Sequence, residues 1–442
     1  MYNLVRIQMN KFIFTREAIE LSYLQEQPFL PIVIQSGQHA YGVARSFYEA
    51  YHIKSLVIEP ARERGNFRSL FSGGAQGIAT QNSGILEFQY VEHLDDPHYF
   101  VQALQMLAKQ FQHQRLILLV CDCLYAELII QNKEELEKYF ILPYIDQALL
   151  KKVQTKEKFY QLCDLYKLKY PQTVTVTKEQ QTNCVIPFHY PIIIKPSNSV
   201  AYSSCSFPEK KKIYLAHNDS EVQKIVHCIY RSSYQDSLIL QEFIPGDDSF
   251  IRVLDVYVGR DKTVKLMCLS NKLFEDPSPQ NKGISLAVMT DYDEQLMDTI
   301  RHLLEDIGYT GFANFDMKYD PRDGEYKLFE LNLRAGSSSY YVTASGHNYM
   351  QYVVDDYLFH IPLERTYVQT KHLWSLLPPR TLYKCMGNEK LKMEAKRLVK
   401  QGQYTNALFY KEDMSMKRWI KLKLYDGYLY IKHRKYFINR DV

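Results

Sequence analysis

In FDMKYDPRDGEYKLFELNLRAG, residues 315 to 336, two alternating runs flank the turn-forming segment DPRDG. Side chains alternate across a strand, so Asn314, Asp316 and Lys318 share one face of the first run, and Glu330 and Asn332 share one face of the second. A hairpin that turns near residues 321 to 323 sets Asp316 roughly opposite Glu330. Adjacent carboxylates repel, and burying them is costly unless a positive group is present. A divalent cation meets that need. Hard oxygen donors suit Mg2+, which takes few carboxylates and leaves its other positions to water and phosphates. Arg334, just beyond, carries a planar fork able to hold a phosphoryl group at two points. The competing reading is a solvated hairpin face with cross-strand pairs to Lys318 or Lys327.

Further upstream, Lys195 closes the apolar run PIIIK, either as a solvated strand end or as a phosphate clamp. The small, hydroxyl-rich segment Ser197 to Ser206 follows it and could fold over phosphates with its backbone amides. It is not a Walker loop, because GxxxxGK[ST] is absent. QEFIPGDD offers an extended backbone with Ile244 beside it, suited to an adenine edge, and Asp248 in reach of ribose hydroxyls. Arg252 and Lys272 are further phosphate or carboxylate contacts, or surface charges. His347 reads as a local hydrogen-bonding residue or a general base.

The elements that must position these residues are α/β throughout. FLPIVIQ (29 to 35), KSLVIEP and LILLVCD (116 to 122) read as buried parallel strands, with a helix through ARSFYEAY. The turn containing Gly37 and Gly42 places backbone amides near an anion, or is only a tight connection. From Lys151 the pattern changes: an amphipathic helix KEKFYQLCDLYKL, then a helix SEVQKIVHCIYRSS capped by Ser220, alternating strands IRVLDVYV and VKLMCLSN, and a helix stopped by Gly308. Near the C-terminus NEKLKMEAKRLVKQG reads as a helix. Asp426-Gly427, between two alternating runs, reads as a hairpin.

Taken in order, a lysine on a helix, a strand-end lysine, a small-residue loop, QEFIPG and Asp…Glu-x-Asn-x-Arg resemble the ATP-grasp superfamily over residues 151 to 360. The resemblance implies an α/β (α+β) ATP-grasp fold with a Rossmann-like pre-ATP-grasp domain (1–150), an ATP-grasp domain (151–365) and a basic C-terminal helix and hairpin extension (366–442). It implies that Lys156, with Lys158 as rival, and Lys195 contact ATP. Glu242, Phe243 and Ile244 form the adenine hinge, and Asp248 takes the ribose. Asp316, Glu330 and Asn332 hold Mg2+, and Arg334 and Lys195 steady the transferred phosphate. The loop after Lys195 departs from the family in being Ser-rich where relatives are often Gly-rich.

The stretches AYGVARSFYEAYHIKS, YPIIIKPSNSVAY and FDMKYDPRDGEYKLFELNLRAGSSSYYVTASG look more narrowly like the bacterial D-aspartate ligases and their carboxylate–amine ligase relatives, although SGQHAYG departs from that pattern. This likeness implies ATP-dependent amide formation through an acyl-phosphate. D-aspartate would be joined to the lysine side chain of a nucleotide- or lipid-linked peptidoglycan precursor in the cytoplasm. The alternatives are a ligase for another amino acid or peptide, and a non-catalytic ATP-binding regulatory module. The intact Asp/Glu/Asn/Arg set argues against the latter.

The composition of the 442 residues, 46% hydrophobic and 24% charged, is that of a globular chain of two or three domains. Eight cysteines without a CxxC spacing predict reduced thiols. Glu17 and Glu20 interrupt what would be a signal peptide core, and no apolar run is long enough for a membrane span. The net charge of +4 is uneven: residues from Lys371 to Val442 hold 17 Lys/Arg against 6 Asp/Glu. That tail is either a solvated face or an attractor for an anionic substrate or the inner membrane surface. No nucleic-acid reader motif accompanies it.

Overall fold

A computed structural model of the chain describes residues 22–60, 79–80, 82–181, 185–277 and 283–437. The segment that bears on a signal peptide lies outside them. Strands β1 (Phe29–Ile34), β2 (Ser55–Pro60), β3 (Leu86–Val91), β4 (Arg115–Val120) and β5 (Phe140–Ile141) form a parallel sheet in the order β3-β2-β1-β4-β5. β1 is apolar throughout because both faces are covered. Its Leu30, Ile32 and Ile34 lie in one core with Phe100, Leu104 and Leu107 of the helix Pro97–Gln110. Its Phe29 and Val33 lie in another with Val43, Ala44 and Phe47 of the helix Gln38–Tyr51.

The Gln38 helix begins at Gly37, whose φ of 115° is open to glycine at little cost. Gly42 does not belong to that turn. It sits in the helix, where a Cβ would come within 2.9 Å of the Tyr340 Cβ, so its role is close packing.

A second, antiparallel sheet has the order β6-β9-β7-β8: β6 (Thr173–Val176), β7 (Ile192–Pro196), β8 (Tyr214–Ala216) and β9 (Leu238–Glu242). Val222, Val226 and Ile229 of the helix Asp219–Tyr230 form its core with Ile192, Ile194, Leu238 and Leu240. The cap of this helix is Asn218, which accepts from the Glu221 amide, rather than Ser220. The apolar stripe at 222, 226 and 229 sets the helix register, and Ser220 falls inside the first turn. The Ser-rich segment after Lys195 is also not an open loop. Asn198 caps a short helix Ser199–Ser203 by accepting from the Val200 and Ala201 amides.

The largest sheet runs β14-β13-β10-β11-β12-β16-β17, with β15 (Thr366–Tyr367) pairing β11 off that path. It comprises β10 (Ile251–Val258), β11 (Val264–Glu275), β12 (Ser285–Asp291), β13 (Gly311–Asp320), β14 (Glu325–Asn332), β16 (Leu373–Ser375) and β17 (Tyr404–Asn406). Gly311 opens β13 at φ 86°, and a Cβ there would lie 1.9 Å from the Pro143 carbonyl oxygen. The N-terminal unit is thus pressed directly onto the strand that carries Asp316.

The expected hairpin at Asp426-Gly427 is instead part of one continuous helix, Met416–Phe437. Its run contains two patterns. Alternation at Ile420, Leu422 and Leu424 suggests a strand, whereas Leu422, Tyr425 and Leu429 recur at helical spacing. The second set is the one buried in the core, and Ile420 and Leu424 stay exposed. Arg418, fully buried, donates to the Ala79 carbonyl at 2.9 Å, stacks on Tyr41 and pairs with Asp413 at 3.2 Å. Asp413 also accepts from Tyr41 and Ser83, each at 2.8 Å, which ties the C-terminal region to the N-terminal unit.

Candidate active site

The β13–β14 register pairs Asp316 with Glu330 and Asn314 with Asn332, and an irregularity follows Asp316. The helix Lys156–Leu165 crosses β14 and brings the Lys156 ammonium within 3.2 Å of the Glu330 carboxylate. Lys156, rather than Lys158, makes this contact, and it also donates to Ser199 at 3.2 Å. Thr155 caps the helix through the Lys158 amide, which fixes the direction in which Lys156 leaves the first turn.

Lys195 enters from β7. Its ammonium donates to Gln241 Oε1 at 2.9 Å and lies 5.3 Å from the centre of the Phe329 ring. Burial, reinforced by the charge of Lys156, lowers its pKa to about 7. Burial raises the Asp316 carboxyl, and the Glu330 charge adds to this against the pull of Lys272. Burial also works against Glu330, but Lys156, Lys212 and Lys195 overcome it and hold that carboxyl at about 2. The predicted residues Lys156, Lys195, Asp316 and Glu330 are therefore one electrostatic cluster, Asn332 joins it by a hydrogen bond to Asp316, and Arg334 also acts on Asp316.

Asn332 Nδ2 donates to Asp316 Oδ2 and Asn314 Oδ1, both at 3.1 Å. Two carboxylates and an amide oxygen from the two paired strands fit a hard divalent ion in donor type once the Asn332 amide, whose oxygen accepts from Cys123 at 3.3 Å, is turned oxygen-inward. No group of three or more His, Cys, Asp or Glu suited to a metal occurs among the described residues. Such an ion would take its remaining positions from water and phosphate.

Glu242, Phe243 and Ile244 lie at the seam between the small and large sheets. Glu242 accepts from the Gln172 amide at 2.9 Å and from Arg322, at the tip of the β13–β14 hairpin, at 2.8 Å. Lys318 donates to the carbonyls of Ile244 at 2.9 Å and Gly246 at 2.6 Å, so the hairpin itself holds this segment. Asp248 accepts from the Glu275 amide at 3.1 Å and lines a recess with Phe274, Met386 and Leu391, beside the C-terminal region. Arg252 pairs with Asp291 at 3.0 Å, whereas Lys272 bears on Asp316. His347 is half-buried, which lowers its pKa.

Sequence reasoning missed three groups here. Lys212 ends a run of three lysines that looks like solvated surface, yet its charge acts on Glu330, Asp316 and Lys195. Gln241 is buried between Lys195 and Tyr160 and donates to Tyr160 at 2.9 Å; a glutamine inside an apolar strand was the available signal. Asp255, fully buried on β10, accepts from the Gly336 amide at 2.8 Å and is pushed by burial to about 7. A Cβ on Gly336 would fall 2.6 Å from Asn314 Nδ2 and 3.0 Å from Asp255, so the turn after Arg334 needs glycine.

Known structures share this architecture. The L-amino acid ligase from Bacillus licheniformis superposes with a TM-score of 0.51 at 15% identity, over 76% of this chain and 75% of that one. The ADP complex of N5-carboxyaminoimidazole ribonucleotide synthetase gives 0.54 at 16% identity, over 84% and 86%. The chain has the ATP-grasp fold. No protein-family model matches it. The D-aspartate ligase of Enterococcus faecium (strain Aus0004) is 38% identical over 430 residues, 94% of this chain and 99% of that protein. The chain belongs to the D-aspartate ligase family: it is an ATP-dependent carboxylate–amine ligase that forms a C–N bond.

Proposed function

We propose that the enzyme joins D-aspartate to the side-chain amine of a lysine in a peptidoglycan precursor, in the cytoplasm. The observation that carries this is the end-to-end relatedness to a D-aspartate ligase, together with the acid–lysine cluster at the seam between the sheets. A substrate carboxylate oxygen bonds to the γ-phosphorus of ATP, the bond to ADP breaks, and an acyl-phosphate forms. The amine nitrogen then bonds to the acyl carbon, releasing phosphate and a proton. The protein contributes placement and charge. Lys156 and Lys195 hold phosphate oxygens, Arg334 steadies the group in transfer, and Glu242, Phe243, Ile244 and Asp248 seat the nucleoside. Asp316, Glu330 and Asn332 would hold Mg2+, which supplies charge neutralisation on the phosphates.

The same proposal divides the chain at residues 150 and 365, with the basic region after 365 stitched onto the large sheet through β16 and β17. No helix among the described residues is long and apolar enough to cross a membrane. The Met416–Phe437 helix, however, exposes Trp419, Ile420, Leu424 and Ile431 among lysines. That composition suits peripheral contact with an anionic membrane surface, where a lipid-linked precursor would lie.

The test is phosphate release with ATP and Mg2+, screening D- and L-amino acids with and without a lysine-containing precursor. Release that requires D-aspartate and the precursor is the expected result. Release with another acid discards the substrate, and nucleotide binding without release discards the reaction. Salt-sensitive binding to phosphatidylglycerol vesicles, lost without residues 371–442, tests the membrane contact.

A further inference from the structure

Strand β9 reads Leu-Ile-Leu-Gln-Glu, and its side chains alternate between two faces. Leu238 and Leu240 lie in the core of the small sheet with Ile192 and Ile194 of β7. Ile239 and Gln241 therefore share the opposite face with Ile193 and Lys195, and Gln241 is a diagonal neighbour of Lys195 across the β7–β9 ladder. Gln241 is only 2% exposed, so its amide must find partners inside the protein.

Those partners force its orientation. The Tyr160 hydroxyl donates its hydrogen to the Phe329 carbonyl at 3.1 Å, and the Thr173 hydroxyl donates its own to the Pro171 carbonyl at 2.7 Å. Both oxygens can then only accept. Gln241 Nε2 donates to each of them at 2.9 Å, which leaves Oε1 facing the Lys195 ammonium at 2.9 Å. Stacking on Tyr170, with ring centres 4.5 Å apart, holds the Tyr160 ring in place. Among the described residues the Lys195 ammonium is paired with no carboxylate, and its other acceptor is the Tyr160 oxygen at 3.5 Å. Lys156 differs, since it pairs with Glu330. An ammonium carries three donors, so Lys195 keeps one N–H for a ligand.

We propose that Gln241 is a positioning residue for ATP. Locked by Tyr160 and Thr173, its amide oxygen holds the Lys195 ammonium by one N–H, aims the remaining one at the phosphates, and adds no negative charge of its own. A glutamate in the same place would be a stronger partner for the lysine and would compete with the nucleotide for it. Gln241 directly precedes Glu242, so one strand end sets both the phosphate clamp and the segment proposed for adenine. This rests on the reading of Lys195 as a phosphate-holding residue and adds to it the group that orients that lysine.

The experiment measures the Kd of ATP with Mg2+ by titration calorimetry of the full chain, and the KM for D-aspartate from phosphate release. Gln241→Met keeps the size of the side chain and removes the amide. It is expected to raise the Kd roughly 10-fold or more, with the KM for D-aspartate unchanged. Gln241→Glu should raise the Kd further than the methionine does, although it keeps an acceptor for the lysine. The reverse order, which a merely structural glutamine predicts, overturns the inference. In a Lys195→Met background, Gln241→Met should cause no further loss, because the group it orients is gone. Thr173→Val, which lets the amide turn, should fall between the parent and Gln241→Met, and it serves if the variants at 241 do not fold. An unchanged Kd in Lys195→Met overturns the role of Lys195 and the inference with it. A Kd raised by Lys195→Met but not by Gln241→Met (or, where that does not fold, by Thr173→Val) overturns the inference alone, as does an equal effect of Gln241→Met in both backgrounds.

Discussion

The Lys156 ammonium lies 3.2 Å from the Glu330 carboxylate, joining the helix Lys156–Leu165 to the strand that faces Asp316. Glu330 is the point where the positive charge of this cluster is balanced, since Lys156, Lys212 and Lys195 all act on it. Glu330→Gln is therefore expected to lower turnover at least about 100-fold. It should also lower the stability of the nucleotide-free protein by about 1–3 kcal/mol, because the lysines lose their counter-charge. Phosphate release and thermal melting check both. Turnover near the unsubstituted level would remove Glu330 from the site.

Lys195 makes stability depend on pH in a direction opposite to that of a salt-bridged lysine. An unfolded lysine titrates near 10.4, whereas burial brings Lys195 to about 7 in the fold. Between those values the unfolded chain binds the extra proton, so this residue's contribution to stability rises with pH. Its burial penalty is fully present below pH 7 and gone near pH 10.4. Melting curves of the nucleotide-free protein at pH 7 and 9 should show Lys195→Met gaining most over the unsubstituted chain at pH 7. A gap that stays constant would contradict the depressed lysine.

Arg418 and Asp413 are almost wholly buried and share partners from the N-terminal unit. Removing one member strands the other, which costs about 3–5 kcal/mol. Arg418→Ala should show that loss in denaturant unfolding, and the double variant Arg418→Met with Asp413→Leu should recover part of it. If the single variant melts like the parent, the pair is not holding the two regions together.

Gly311 leaves no space for a side chain against Pro143, and its φ of 86° disfavours one as well. Gly311→Ala should destabilise by at least about 2 kcal/mol. Because the clash lies between the N-terminal unit and β13, protease cleavage between them should increase before the rest of the fold is lost. Equal cleavage in variant and parent would mean that the contact is dispensable.

Much of the site could be read from the chain because strand parity and a turn position are enough to set a register. That is why the sequence alone pairs Asp316 with Glu330 across DPRDG, the register the hairpin adopts. Buried strands such as β1 and β4 were legible for a similar reason: continuous apolar runs have few alternatives. What escaped depended on distant partners. Lys212 acts on the acid pair only when its segment folds back toward β14, and Asp255 is explained by Gly336, Asn314 and Tyr341, all far along the chain. The Asp426-Gly427 segment carries strand and helix patterns at once, and contacts of Leu422, Tyr425 and Leu429 with the core decide between them. Ser220 and Asn218 are both good caps, and the packing of Val222 chose the second.

The order of strands in the large sheet has a consequence during synthesis. β12 pairs on one side with β11, made just before it, but on the other with β16, which leads to β17. At about 5–20 residues per second, the ribosome takes several seconds to go from β12 to β16. For that interval a nascent chain exposes an unpaired edge holding Ala287, Val288 and Met289, the residues later covered by β16. The basic C-terminal region therefore doubles as the closing piece of a sheet begun much earlier. A chain stalled or cut before Leu373 should be captured by holding chaperones or aggregate through that edge.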